Sequence, residues 1–182
     1  MKKALYQFLF KLFNWKLVNA PDLNSFQYVL IAAPHSSNWD FFVGLAIKNI
    51  LGIKPHFFAK KELFFFPFNI FLNSIGGIPV DRSNKHDLVA EICQKFKDDK
   101  NFSLALAPEG TRKAVPKFKT GFYQIANQAN VPIVMVGLDY KNKEVTFSSP
   151  LHSTGDFQKD SLVIAAFYKN KTGKNRNVGP II

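Results

Sequence analysis

The run Tyr28-Val29-Leu30-Ile31-Ala32-Ala33 is apolar, rich enough in β-branched residues to favour a strand, and closed by Pro34. It has no polar alternation, which marks a strand buried within a sheet, and the proline ends it. Beyond it the chain alternates between helical and extended patterns. Ser36 or Ser37 can cap a helix over residues 38–50, with Gly52 near its C-terminus. A short strand over residues 56–59, a helix over 67–72 stopping near Gly76-Gly77, and a strand over 78–80 follow. The pattern then predicts a helix over 84–97, a strand over 102–107, a helix over 118–129, strands over 132–138 and 144–147, and a closing helix over 156–168. This order predicts an α/β fold: a single domain with a mixed, mostly parallel sheet flanked by helices. The tail over residues 169–177 is basic, contains Gly and Asn, and reads as mobile.

With 182 residues, 47% of them hydrophobic, the chain can bury one real core but not two comfortable ones. We divide it into an N-terminal segment, residues 1–20, and a domain over residues 21–182. The single cysteine, Cys93, cannot form an internal disulfide, so the sequence gives no sign of an oxidising compartment or of a cysteine-ligated zinc. The cytoplasmic side is the expectation.

A net charge of +11 calls for an anionic partner: nucleic acid, anionic lipid headgroups or a phosphorylated substrate. The 20 phenylalanines, clustered in Phe64-Phe65-Phe66-Pro67-Phe68 beside Lys60 and Lys61, favour a lipid interface. No aromatic RNA-recognition fingerprint or zinc-finger spacing is present, so nucleic acid is not expected. Residues 1–18 imitate a signal peptide, but Gln7, Lys11, Asn14 and Lys16 interrupt the run and no small-residue cleavage site follows. Nor does the chain hold the roughly 20 apolar residues a spanning helix needs. Wound as a helix, the segment puts Leu5, Phe8, Leu9, Leu12, Phe13 and Trp15 on one broad face, opposite Lys3, Gln7, Lys11 and Asn14. Such an amphipathic helix can pack on its own core or lie in the bilayer interface.

Two loops carry residues suited to chemistry. In His35-Ser36-Ser37-Asn38-Trp39-Asp40, a histidine precedes a helix and an aspartate sits in its first turn. Residues five apart within one helix point roughly 140° apart, so the two meet only if His35 lies in the turn outside it. Asp40 would then hold one imidazole nitrogen and leave the other free as a base. The chain lacks a G-x-S-x-G elbow, so Ser36 and Ser37 read as turn and capping residues, and direct attack by the acceptor hydroxyl is implied. Taken alone, the spacing is one that chance also supplies. His56, His86 and His152 read as structural. The second loop, Pro108-Glu109-Gly110-Thr111-Arg112, offers a guanidinium and exposed backbone donors suited to a phosphate, or equally a turn with one solvated arginine.

Four blocks in order resemble the glycerolipid acyltransferases of the 1-acyl-glycerol-3-phosphate acyltransferase superfamily. Residues 35–40 resemble its H-x4-D motif, and Lys60-Lys61-Glu62-Leu63 through Gly77-Ile78-Pro79-Val80-Asp81-Arg82 its second block. Residues 108–112 resemble the third block and Val131-Pro132-Ile133-Val134 the fourth, so the likeness spans about residues 28–140. It implies transfer of an acyl chain from acyl-CoA or acyl-acyl carrier protein (acyl-ACP) to a lipid hydroxyl, with no metal and no cofactor beyond that co-substrate. It further implies His35 as base and Asp40 as its partner, with Arg82, Glu109, Gly110, Thr111, Arg112 and, less centrally, Lys119 binding the acceptor or its phosphate. Many relatives carry longer or more hydrophobic N-terminal segments; here the expectation is peripheral attachment to the inner face of a membrane bearing anionic lipids. The acceptor implied first is 1-acyl-glycerol-3-phosphate, with another lysolipid as the alternative. The rival from a different class is a non-enzymatic binder of anionic lipid or nucleic acid, which charge and aromatics alone permit but the paired loops do not explain.

Overall fold

The computed structural model describes residues 2–80 and 88–178. The chain opens with α1 (Lys2–Leu12) and β1 (Lys16–Val18), and the apolar run forms β2 (Val29–Ala33). Next come α2 (Trp39–Leu51), β3 (His56–Lys60), a 3-10 turn (Lys61–Leu63), α3 (Phe68–Ser74) and β4 (Gly77–Val80). The rest is α4 (Leu88–Asp98), β5 (Leu104–Leu106), α5 (Gly121–Ala129), β6 (Ile133–Asp139), β7 (Glu144–Phe147) and α6 (Phe157–Tyr168). The strands form one sheet in the order β1-β7-β6-β2-β5-β3-β4. From β6 to β4 every pairing is parallel; β7 runs antiparallel to β6, and β1 follows β7. The fold is therefore the α/β class read from the sequence, with a mixed, mostly parallel sheet.

Side chains alternate across the central strands and so divide the interior into two layers. Val29, Ile31, Ala33, Ile133 and Met135 join Ile92 and Phe96 of α4, Phe122 and Ile125 of α5, and Ile164 and Tyr168 of α6 on one face. Leu30, Val134, Val136 and Leu138 meet Val43, Ala46, Ile47 and Ile50 of α2 and Phe10 of α1 on the other. Tyr168 also donates its hydroxyl to the Ile31 carbonyl at 2.6 Å, tying the last helix to the central strand. Gly52, at φ +70°, closes α2 with its N–H on the Lys48 carbonyl.

Parallel strands joined by right-handed crossovers place their connecting helices according to the direction of travel. The chain leaves β2 for β3 in one direction through α2, and leaves β5 for β6 in the other through α5. These helices lie on opposite faces, although β2 and β5 are neighbours. The carboxyl ends of β2 and β5 thus flank a topological switch point, where open α/β sheets form their crevice.

Three sequence expectations change. The amphipathic helix stops at Leu12: Asn14 turns left-handed at φ +57°, and residues 16–18 become an edge strand, so Trp15 leaves the helical face and packs edge-on against Tyr140 at 5.0 Å. Tyr6 and Phe10 of α1 turn inward, whereas Leu5, Phe8 and Leu12 stay exposed. The tail read as mobile instead lies ordered across the carboxyl edge of the sheet, held by hydrogen bonds rather than by apolar periodicity. His56 stacks on Phe102 at 4.8 Å, and burial pushes its pKa below the ordinary value, in keeping with a structural role; His152 is exposed. Residues 84–87 of the fourth expected helix, His86 among them, lie outside the described residues.

Ile164 and Leu162 stand two residues apart on α6 with opposite environments, fully buried and 63% exposed. Ile164→Ala should cost about 2–5 kcal/mol in urea denaturation, and Leu162→Ala should stay within about 0.5 kcal/mol.

Candidate active site

Three loops meet at the switch point, one from the carboxyl end of each of β2, β5 and β6. The β2 loop carries His35 just outside α2, as its spacing to Asp40 requires, and His35 Nδ1 lies 3.1 Å from Asp40 Oδ2. Asp40, in the first turn of α2, also accepts the backbone N–H groups of Ser36 at 2.7 Å and Ser37 at 2.9 Å. Its other oxygen accepts the Tyr140 hydroxyl at 2.7 Å, from the residue after β6. The capping expected of Ser36 or Ser37 changes: the N-cap is Asn38, whose side chain makes no capping bond, the Ser37 hydroxyl accepts the Trp39 N–H, and Asp40 gathers the amides of Ser36 and Ser37.

The Asp40 side chain is 3% exposed. Burial alone would raise its pKa, but the donors from His35, Tyr140, Ser37 and Ser36 together outweigh it and hold the carboxyl below the usual value. Burial, and then the neighbouring carboxylate, drives the Tyr140 phenol far upward, so Tyr140 remains a donor. An ionised carboxylate only accepts, so in a neutral imidazole the proton stands on Nδ1 of His35 and the lone pair is left on Nε2. The His35 side chain is a quarter exposed.

Glu109, in the β5 loop, is fully buried. One carboxylate oxygen accepts the His35 N–H at 2.6 Å and the other accepts Arg176 Nη1 at 2.9 Å, so the chain itself engages the group named as an acceptor ligand. Gly110 turns left-handed at φ +65°, and the Lys119 side chain lies against it where a Cβ would stand. Thr111 accepts the Lys113 N–H, and the Arg112 side chain is exposed. The structure thus brings His35, Asp40 and Glu109 together at the carboxyl ends of β2 and β5, with Lys119 against Gly110 in the same loop as Glu109 and Arg112 exposed beside them. Arg82 lies outside the described residues.

A family model described as Acyltransferase matches residues 16–139, two thirds of the chain. The chain belongs to the acyltransferase family. Among solved structures, the 1-acyl-sn-glycerophosphate (LPA) acyltransferase PlsC from Thermotoga maritima is similar, with a TM-score of 0.64 at 18% identity over 95% of this chain and 80% of that one. That likeness concerns the fold, and the shared fold agrees with the family. No curated protein sequence matches. The family match ends at Asp139 and so leaves out Tyr140 and Arg176, two residues sequence reasoning also missed. A tyrosine one residue past an apolar strand was a usable signal, since it stands at the carboxyl edge where sites form.

Tyr140→Phe removes one donor from Asp40, so burial is opposed by fewer hydrogen bonds and the Asp40 pKa should move up. A depressed carboxylate contributes stability that is complete above its unfolded pKa and lost as pH falls through the folded one. The variant should therefore lose about 1.5–3 kcal/mol near pH 6 and show a narrower stability gap between pH 6 and pH 3. Denaturation at the two pH values, with carbon NMR titration of Asp40, checks this; an unmoved titration counts against it.

Proposed function

We propose that this acyltransferase moves a fatty acyl chain from acyl-CoA or acyl-ACP to the hydroxyl of a lysolipid, 1-acyl-glycerol-3-phosphate foremost, at the surface of a membrane. The observation that carries this reading is the orientation of His35. Nδ1 is held by a buried carboxylate, which supports a reading in which Nε2 takes the proton of the acceptor. As the acceptor oxygen attacks the thioester carbonyl, its proton passes to Nε2 and a C–O bond forms. The tetrahedral intermediate then collapses, the C–S bond breaks, and the thiolate leaves with the proton returned from His35. A thioester is already activated, so positioning, base catalysis and oxyanion stabilisation suffice.

Arg112 and Lys119 are exposed beside the site and suit an acceptor phosphate, Arg112 by a bidentate contact, whereas the Gly110 N–H is already given to the Ala107 carbonyl. For the membrane, the support is an apolar surface on the elements around the site. Trp39 and Phe42 of α2, Phe65 and Phe66 beyond the carboxyl end of β3, and Phe68, Ile70 and Phe71 of α3 are all exposed. On α1, Leu5, Phe8 and Leu12 are exposed as well. Among the described residues no helix is long and apolar enough to cross a membrane. Exposed aromatics with nearby lysines suit a surface lying on anionic lipid, as an attachment to the inner face requires.

His35→Ala should lower kcat about 10²–10⁴-fold against a panel of lysolipids with both thioester donors, with circular dichroism unchanged. Full activity in that variant rejects His35 as the base. Arg112→Ala should raise KM more for a phosphorylated acceptor than for a phosphate-free one, and equal effects reject the phosphate contact.

Vesicle binding should weaken with salt, each basic residue near the surface contributing about 1 kcal/mol. It should weaken further when Phe65 and Phe66, or Leu5, Phe8 and Leu12, are replaced by serine. Point substitution is the cleaner test, because deleting residues 1–18 also removes β1 and the Trp15 ring packed on Tyr140. Undiminished binding to neutral vesicles at high salt overturns the electrostatic part.

A further inference from the structure

The segment over residues 171–177 touches every part of the site. The Thr172 carbonyl accepts the Tyr140 N–H at 2.7 Å. Asn175 donates its backbone N–H to the Ser36 hydroxyl at 3.2 Å and its side-chain amide to the Ser36 carbonyl at 2.9 Å. Lys174 sets its ammonium over the Trp39 ring, 4.5 Å from its centre. Gly173 is buried in the turn of this segment, where a Cβ would collide with the Arg176 carbonyl and stand 2.8 Å from the Ser36 hydroxyl and 3.0 Å from Pro34. Only glycine lets the segment lie this close.

Arg176 is the centre of these contacts. Its Nη1 donates to Glu109 at 2.9 Å and to the Asn177 carbonyl at 3.1 Å. Nε reaches the Arg112 carbonyl at 3.1 Å, and Nη2 reaches the carbonyls of His35 at 3.2 Å and Lys113 at 2.8 Å. A guanidinium has five N–H groups, and these five contacts can engage all of them. Arg176 therefore has no donor to spare for a substrate phosphate. Apart from Asn177, its partners belong to the two loops that bear the proposed base and the acceptor-facing groups, and Glu109 in turn holds the His35 backbone N–H.

We propose that Arg176 is a positioning residue: through Glu109 and the carbonyls of His35, Arg112 and Lys113 it locks the His35 loop to the loop over residues 108–113, fixing where the base stands relative to the acceptor. This rests on the reading of His35 as base. The planar fork is what the site requires, because a lysine ammonium is a point charge with three donors and cannot span the same set of acceptors. A misplaced base slows the chemical step, whereas acceptor binding through other groups survives.

The test uses the full chain with Arg176→Lys, Arg176→Ala, Glu109→Gln and the double variant Arg176→Ala/Glu109→Gln, alongside His35→Ala. Arg176→Lys should lower kcat about 10²-fold with acceptor KM within about threefold, and lysine should fail to rescue the alanine variant. The double variant removes the buried charge that Arg176→Ala leaves unpaired, so its Tm should recover while its kcat does not. The His35 ring-proton NMR signals should be single in the parent and should split or broaden in Arg176→Lys. Recovery of kcat in the double variant reduces Arg176 to a counter-ion for Glu109 and overturns the proposal, as does a kcat within twofold of the parent in Arg176→Lys or an unchanged His35 spectrum. Activity retained in His35→Ala rejects the base assignment; activity lost there but kept in Arg176→Lys rejects Arg176 alone.

Discussion

A carboxylate taken out of water survives as an anion only where donors replace the hydration it has lost. The site is arranged around two such groups, Asp40 and Glu109, the first barely exposed and the second not at all. They solve the problem differently. Asp40 is met by two backbone amides, a phenol and an imidazole, and it stands at the N-terminus of α2, where the helix dipole favours negative charge. Glu109 is met by one backbone amide and one guanidinium. Each solution orients something useful: the first fixes the imidazole of His35, and the second fixes the main chain from which that imidazole projects.

These donors can converge because of the strand order. β2 lies between β6 and β5, so Tyr140, His35 and Glu109 leave adjacent strand ends. The oppositely directed crossovers through α2 and α5 open the crevice there. The tail then crosses the same edge and closes contacts that neither helix layer makes.

The elements legible in the sequence were those with a hydrophobic period. The apolar run of β2, the alternation around it and the faces of α2 and α5 all mark themselves by what they bury. The geometry of His35 and Asp40 was legible too, since helical periodicity forbids the pair to meet unless His35 stands outside α2. What escaped is what periodicity does not encode. The end of α1 depends on Asn14 adopting a left-handed backbone, and the strand after it depends on β7, distant in sequence. The order of the tail comes from partners such as Ser36 and Glu109, 139 and 67 positions away. A basic, Gly- and Asn-containing segment reads as solvated until those partners are known. Glu109 was legible as a residue of the second loop but not as one whose two oxygens are already engaged, because burial decides that.

The burial of both carboxylates also shapes the field at the site. Hydrogen bonds spread the charge of Asp40, and Arg176 directly offsets that of Glu109, so neither faces an approaching substrate as a bare anion. What faces outward is cationic: Arg112, Lys113, Lys117 and Lys119 from one loop and Lys174 from the tail are exposed on a chain of net charge +11. Under the proposed function, a site with negative groups internally compensated and positive groups around it would attract anionic headgroups and phosphates while keeping an acceptor-only carboxylate behind its base. The requirement that Asp40 stay ionised and the requirement that an anionic substrate approach would conflict if that carboxylate were exposed. Burial with full hydrogen bonding reconciles them.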